Sequence, residues 1–212
     1  MARDGASANG AETAAGAALR ALADTAGRRA GADHPALYDR ADNPWTDQLA
    51  RDLRAAVAAA LGPDRAAGHA VAARWRFPSL LKDGPVRAES DPLYDIAWRL
   101  YAADGSALLA QPLIAECAWR GGWRSQAGAA DRLAQGRAHV RLLCTMDDPA
   151  RPVGDMSLAE ACAFRIAAFA PAGETVLLAF YGPAGAWRAQ PGFSVFHYVT
   201  GRDGVEPAVL PD

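Results

Sequence analysis

The chain has 212 residues, 51% hydrophobic and 22% charged, which is the composition of a domain able to bury a core rather than of an extended chain. A net charge of -2 and a pI of about 6.1 carry no basic excess, which argues against a tight, sequence-independent nucleic-acid binder while leaving room for a local basic groove. No apolar run reaches membrane-spanning length, and no basic stretch followed by an apolar segment opens the chain, so a cytoplasmic protein is expected.

Cys117, Cys144 and Cys162 each lie inside an apolar segment, as buried reduced thiols do, and no CxxC or HxxxH spacing offers a structural zinc site. Lys82 is the only lysine among 22 basic residues, so lysine-dependent proton transfer has one candidate. No glycine-rich phosphate loop of either common kind is present, and Ser79 and Ser194 lack the setting of a hydrolase nucleophile. His34, His69, His139 and His197 stand isolated in sequence and read as surface or hydrogen-bonded structural histidines.

Residues 1–33 are rich in Ala and Gly with few large apolar side chains, which predicts a flexible tail ahead of a single domain over 34–212. The first strong element follows Asn43-Pro44, where Trp45, Leu49, Leu53, Val57 and Ala60/Leu61 recur at helical spacing before Gly62-Pro63. Ala70 to Phe77 alternates as a strand, Leu93 to Tyr101 forms a second and Leu108 to Trp119 a third. Ala103-Asp104-Gly105-Ser106 supplies a tight turn between the last two. A short helix over 124–137, a strand from Val140 to Thr145 and a helix opened by a Ser157/Glu160 capping box come next. That helix carries Leu158, Cys162, Ile166 and Phe169 on one face. Val176 to Tyr181 and Phe193 to Val199 complete the pattern. Tight turns impose antiparallel neighbours and helical crossovers parallel ones, so the expected fold is α/β, a mixed sheet flanked by helices.

The central hairpin brings two acids together. A turn centred near Gly105-Ser106 pairs residues whose numbers sum to about 211, which sets Asp95 opposite Glu116, with opposed side chains about 5 Å apart at Cβ. Glu116 interrupts the otherwise apolar Leu113-Ile114-Ala115-Glu116-Cys117-Ala118-Trp119, where an unpaired carboxylate is costly. Two such acids share a proton, bind a divalent metal, or pair with a cation; Arg74, Arg76 and Arg99 are the arginines within reach. Asp47 and Asp52 on the first helix are further possible ligands, although a solvated helix face accounts for them more simply.

With this element order, Asp91-Pro92-Leu93-Tyr94-Asp95 and Glu116-Cys117-Ala118-Trp119 resemble the PD-(D/E)XK, or restriction-endonuclease-like, superfamily, whose core runs helix, three strands, helix, strand (αβββαβ). The resemblance covers roughly residues 43–146, with a helix and strands added after it. It implies Mg²⁺-assisted phosphodiester hydrolysis of DNA, with Asp95 and Glu116 as the metal ligands and Arg132 as a basic residue displaced onto the following helix. Ala118 stands where that motif has Lys or a second acid, and arginine is a poor proton acceptor. A catalytically inactive nuclease-fold binding or assembly module is the alternative that these departures keep open. A third reading is an unrelated α/β protein whose acid pair is a structural salt bridge, in which an Arg guanidinium lies between the two carboxylates.

Overall fold

The structure is a computed structural model that describes residues 4–30, 44–74, 84–119, 122–181, 192–201 and 204–208. Its strands are β1 (His69–Arg74), β2 (Arg87–Asp91), β3 (Ile96–Tyr101), β4 (Leu108–Ala118), β5 (Val140–Thr145), β6 (Pro152–Val153), β7 (Met156–Ser157), β8 (Thr175–Tyr181), β9 (Phe193–Thr200) and β10 (Val205–Pro207). Helices α1 (Asp4–Ala30), α2 (Pro44–Leu61) and α3 (Pro63–Ala66) precede them, α4 (Gly122–Gln135) links β4 to β5, and α5 (Leu158–Ala167) leads to β8. Among the described residues eight strands form one mixed sheet in the order β10-β9-β8-β5-β4-β3-β1-β2, and β6 and β7 make a separate small hairpin. The expected α/β class, a mixed sheet between helices, is what the chain adopts.

Alternation along the central strands divides the interior into two cores. Leu113, Ala115, Leu142, Leu177 and Ala179 face α1 and α2, together with Trp45, Leu49, Leu53 and Val57 from the expected α2 stripe. Ile114, Leu143, Val176, Leu178 and Phe180 face α4 and α5. Both helical crossovers give parallel pairs, β4 with β5 and β5 with β8, while the β3–β4 hairpin is antiparallel. The Ser157/Glu160 capping box opens α5 as expected, with Leu158, Cys162 and Ile166 buried beneath it. Phe169, placed on the same face by periodicity, lies past the last turn and is exposed.

Over Asp4–Ala30 the expected flexible tail is corrected: this stretch is helix α1. Ala14, Ala18, Ala21, Leu22 and Ala26 are buried in the core that α1 shares with α2 and the sheet. Small side chains, which promise little burial one by one, let the backbones of α1 and α2 approach closely, and alanine is the best helix former. Asp52 fastens the two helices. Its carboxylate accepts from the Thr25 hydroxyl at 2.9 Å, from Arg28 Nε at 3.0 Å and from Gln48 Nε2 at 3.1 Å. Asp52 is thus a buried tie between the helices and not part of a solvated helix face.

β2 was not expected as an element. Its Arg87-Ala88-Glu89-Ser90-Asp91 is largely polar because β2 is an edge strand, parallel to β1. β1 ends at Arg74; the rest of the strand expected to Phe77, with Arg76, Ser79 and Lys82, lies outside the described residues, as does His34.

Candidate functional site

The β3–β4 register at the end remote from the turn is the one the turn implies: Ile96 lies opposite Ala115 and Ala97 opposite Ile114, sums of 211 in both cases. Irregularities shift the pairing only nearer the turn, between Trp98 and Tyr101. Asp95 immediately precedes β3 and Glu116 is third from the end of β4, so both acids reach the same sheet end. They also share a face, since Ala97 and Ile114, two residues along from each, both pack toward α4.

Between them lies a guanidinium. Arg74, the last residue of β1, donates from Nη2 to Glu116 Oε1 at 3.0 Å, and its Nη1 is 3.6 Å from Asp95 Oδ1. The same Nη2 donates to the Leu93 carbonyl, which fixes the arginine at the sheet end. From α4, Arg132 donates to Glu116 Oε2 twice, from Nε at 3.0 Å and Nη2 at 2.6 Å. Asp95 Oδ2 accepts the Cys117 backbone N–H at 2.9 Å. The Glu116 side chain has 0% exposure, yet each of its oxygens is engaged by a different arginine. The formal charges of Asp95, Glu116, Arg74 and Arg132 cancel.

The buried carboxyl is not thereby made more acidic. Burial, the largest influence, raises the Glu116 pKa above its ordinary value, and the neighbouring Asp95 charge adds to the rise. The hydrogen bond from Arg132, then the charges of Arg74 and Arg132, pull the other way without overcoming it. On Arg132 the direct bond to Glu116 dominates and raises the pKa, so this arginine is a fixed cation and no base.

The neighbouring arginines have other tasks. Arg99, a possible partner of the hairpin acids, pairs instead with Asp91. Asp91 also accepts the backbone N–H groups of Leu93 at 2.6 Å and Tyr94 at 2.8 Å, so the acid of the Asp91-Pro92 pair caps the turn that delivers Asp95. Cys117, next to Glu116, has its thiol pushed up by burial and by Cys144 alongside it, which leaves it protonated and unreactive.

Mg²⁺ does not fit this arrangement. It requires near-octahedral oxygen donors at about 2.0–2.1 Å, and guanidinium nitrogens already occupy both Glu116 oxygens. A cation between Asp95 and Glu116 would meet Arg74 as a like charge a few ångströms away. Among the described residues no group of three or more His, Cys, Asp or Glu could hold a metal ion, and Ala118 adds no donor. Sequence reasoning brought Asp95, Glu116 and Arg132 to one site and named Arg74 among the possible neutralising residues. It missed that two arginines divide one carboxylate between them, which depends on how the end of β1 meets α4. Compared with known proteins, the chain matches no family model, no curated protein and no solved structure.

Proposed function

We propose that this chain is a catalytically silent binding or assembly module on a restriction-endonuclease-like scaffold, with an arginine–carboxylate clamp where a nuclease holds Mg²⁺. The engagement of both Glu116 oxygens by Arg74 and Arg132 carries this reading. Strand arrangement supports the scaffold. After α2, β1 and β3 run antiparallel, β3 and β4 antiparallel, and β4 and β5 parallel across α4, an arrangement compatible with an αβββαβ core once β2, which intervenes in the chain, is taken as an edge addition. Asp95 enters the second of those core strands and Glu116 lies near the end of the third.

In this reading the clamp stiffens the sheet end. It ties β1, β4 and α4 through charged hydrogen bonds that burial strengthens, and it commits both Glu116 oxygens to guanidinium groups. A Mg²⁺-dependent nuclease acting on DNA is the second reading, favoured by one observation: the two acids share a face and one guanidinium reaches both. It requires Arg74 to vacate the space between them. Incubation of the protein with single- and double-stranded DNA in Mg²⁺ or Mn²⁺ separates the two. The silent module leaves both substrates intact; cleavage abolished by Asp95→Ala and by Glu116→Ala would replace it with the nuclease.

A further inference from the structure

The opposite end of the sheet carries a second feature, independent of the clamp. A cavity of about 670 Å³ opens between α1, the α2–α3 corner and the ends of β1, β3 and β4, within the size range of small-ligand sites. Leu61, Trp98, Leu100 and Pro112 give it an apolar wall. Arg65, on α3, and His69, the first residue of β1, are among its polar lining, with Thr13 and His139 beside them.

The state of His69 follows from geometry. Trp98 Nε1–H donates to His69 Nδ1 at 2.8 Å, so Nδ1 is the unprotonated nitrogen and the neutral ring carries its proton on Nε2. Among the described residues none accepts a hydrogen bond from that Nε2. His69 lines the cavity, so its remaining N–H is available to whatever enters there. Burial, and secondarily the Arg65 charge, hold the ring below its ordinary pKa of 6.5, so at neutral pH it donates without bringing a charge. Arg65 has no ion-pair partner among the described residues, so its fork is available to a carboxylate.

The opposing charge narrows the ligand class. Glu12, from α1, also lines the cavity, and its charge opposes that of Arg65. A dianion such as phosphate meets one arginine against one glutamate, whereas a singly charged group on an apolar body satisfies the donors and covers the wall.

We propose that this cavity binds a small organic monocarboxylate with an aromatic or alicyclic body, its carboxylate held by Arg65 and the His69 Nε2–H, its body against Trp98, Leu100 and Pro112. Calorimetric titration with phenylacetate tests this, with phenylacetamide and inorganic phosphate titrated in parallel. Saturable one-to-one binding of phenylacetate is expected, with phenylacetamide and phosphate each at least about ten-fold weaker. Two variants at outlying helix positions make the test specific. Gly10 lines the cavity from α1, and a Cβ built there meets nothing within 4 Å, so Gly10→Trp fills the space without a clash at that atom and is expected to abolish binding. Arg65→Gln is expected to weaken binding about ten-fold while circular dichroism and the melting temperature stay unchanged. No saturable phenylacetate binding by the unaltered protein would overturn the proposal. So would equal binding of phenylacetamide, or full-strength binding by Gly10→Trp.

Discussion

Replacing Arg74 with Leu tests whether the clamp holds the sheet end. The substitution keeps much of the apolar stem and deletes the guanidinium. Three contacts disappear: the charged hydrogen bond to Glu116 Oε1 at 3.0 Å, the bond to the Leu93 carbonyl, and the 3.6 Å approach to Asp95. Loss of the first weighs most, because it leaves a carboxylate of 0% side-chain exposure with Arg132 alone. A hydrogen bond to a charged group contributes about 1.5–3 kcal/mol, and breaking a fully buried pair costs about 3–5 kcal/mol. Since Arg132 keeps its two bonds and Asp95 keeps the Cys117 N–H, we expect a loss of about 2–3 kcal/mol at pH 7.5. Losing Arg74 also pushes the Glu116 pKa higher still, so the variant relieves its under-compensated charge by taking up a proton, and the deficit shrinks at pH 5. Urea unfolding at the two pH values reads both effects. A loss below about 0.5 kcal/mol at pH 7.5, the scale of an ordinary surface substitution, would refute the reasoning, as would a deficit of equal size at both pH values.

Other positions make separate demands. Because burial holds the folded Glu116 pKa above 4.5, its ionisation costs the native state more than the unfolded chain; its contribution is full below 4.5 and is lost as pH rises through the raised value. The stability of the native protein relative to Glu116→Gln is therefore expected to fall as pH rises through that window; urea unfolding that gives a flat difference from pH 4.5 to 7 would contradict this. Asp52→Ala removes the acceptor shared by Thr25, Arg28 and Gln48 and is expected to cost about 1–3 kcal/mol, with faster amide exchange along α1. Protection of α1 equal to that of the unaltered protein would mean that alanine packing alone holds the helix. Arg141 is buried at 0% exposure, donates to the Leu133 carbonyl at 3.0 Å and the Gly136 carbonyl at 2.7 Å at the end of α4, and pairs with Glu174. Arg141→Met strands all three acceptors, for an expected loss of about 3–5 kcal/mol, and a loss under 1 kcal/mol would show that water replaces the arginine.

Where side chains alternate or repeat strongly, the fold was legible. The α2 stripe, the Ser157/Glu160 capping box and the β3–β4 turn all follow local rules, and the turn carried the register that joins Asp95 to Glu116. α1 was not legible, because alanine favours a helix but shows no large apolar stripe; its burial depends on how closely α2 approaches. β2 escaped for the opposite reason: Arg87 to Asp91 is too polar to resemble a strand until a sheet edge is available to pair with it. The acids at the candidate site could be read from sequence, but the sharing of Glu116 could not. Arg74 and Arg132 lie 42 and 16 residues from it, on elements whose relative placement no local pattern encodes. The His69–Trp98 bond was hidden in the same way, crossing from β1 to β3 over 29 residues.

The most direct test of the clamp is a Mn²⁺ titration of the native protein, followed by electron paramagnetic resonance of the free ion and repeated on Glu116→Gln. With the Glu116 oxygens held by Arg74 and Arg132, the native protein and the variant are expected to deplete free Mn²⁺ equally little, with no saturable site. Stoichiometric Mn²⁺ uptake by the native protein that disappears in Glu116→Gln would contradict it.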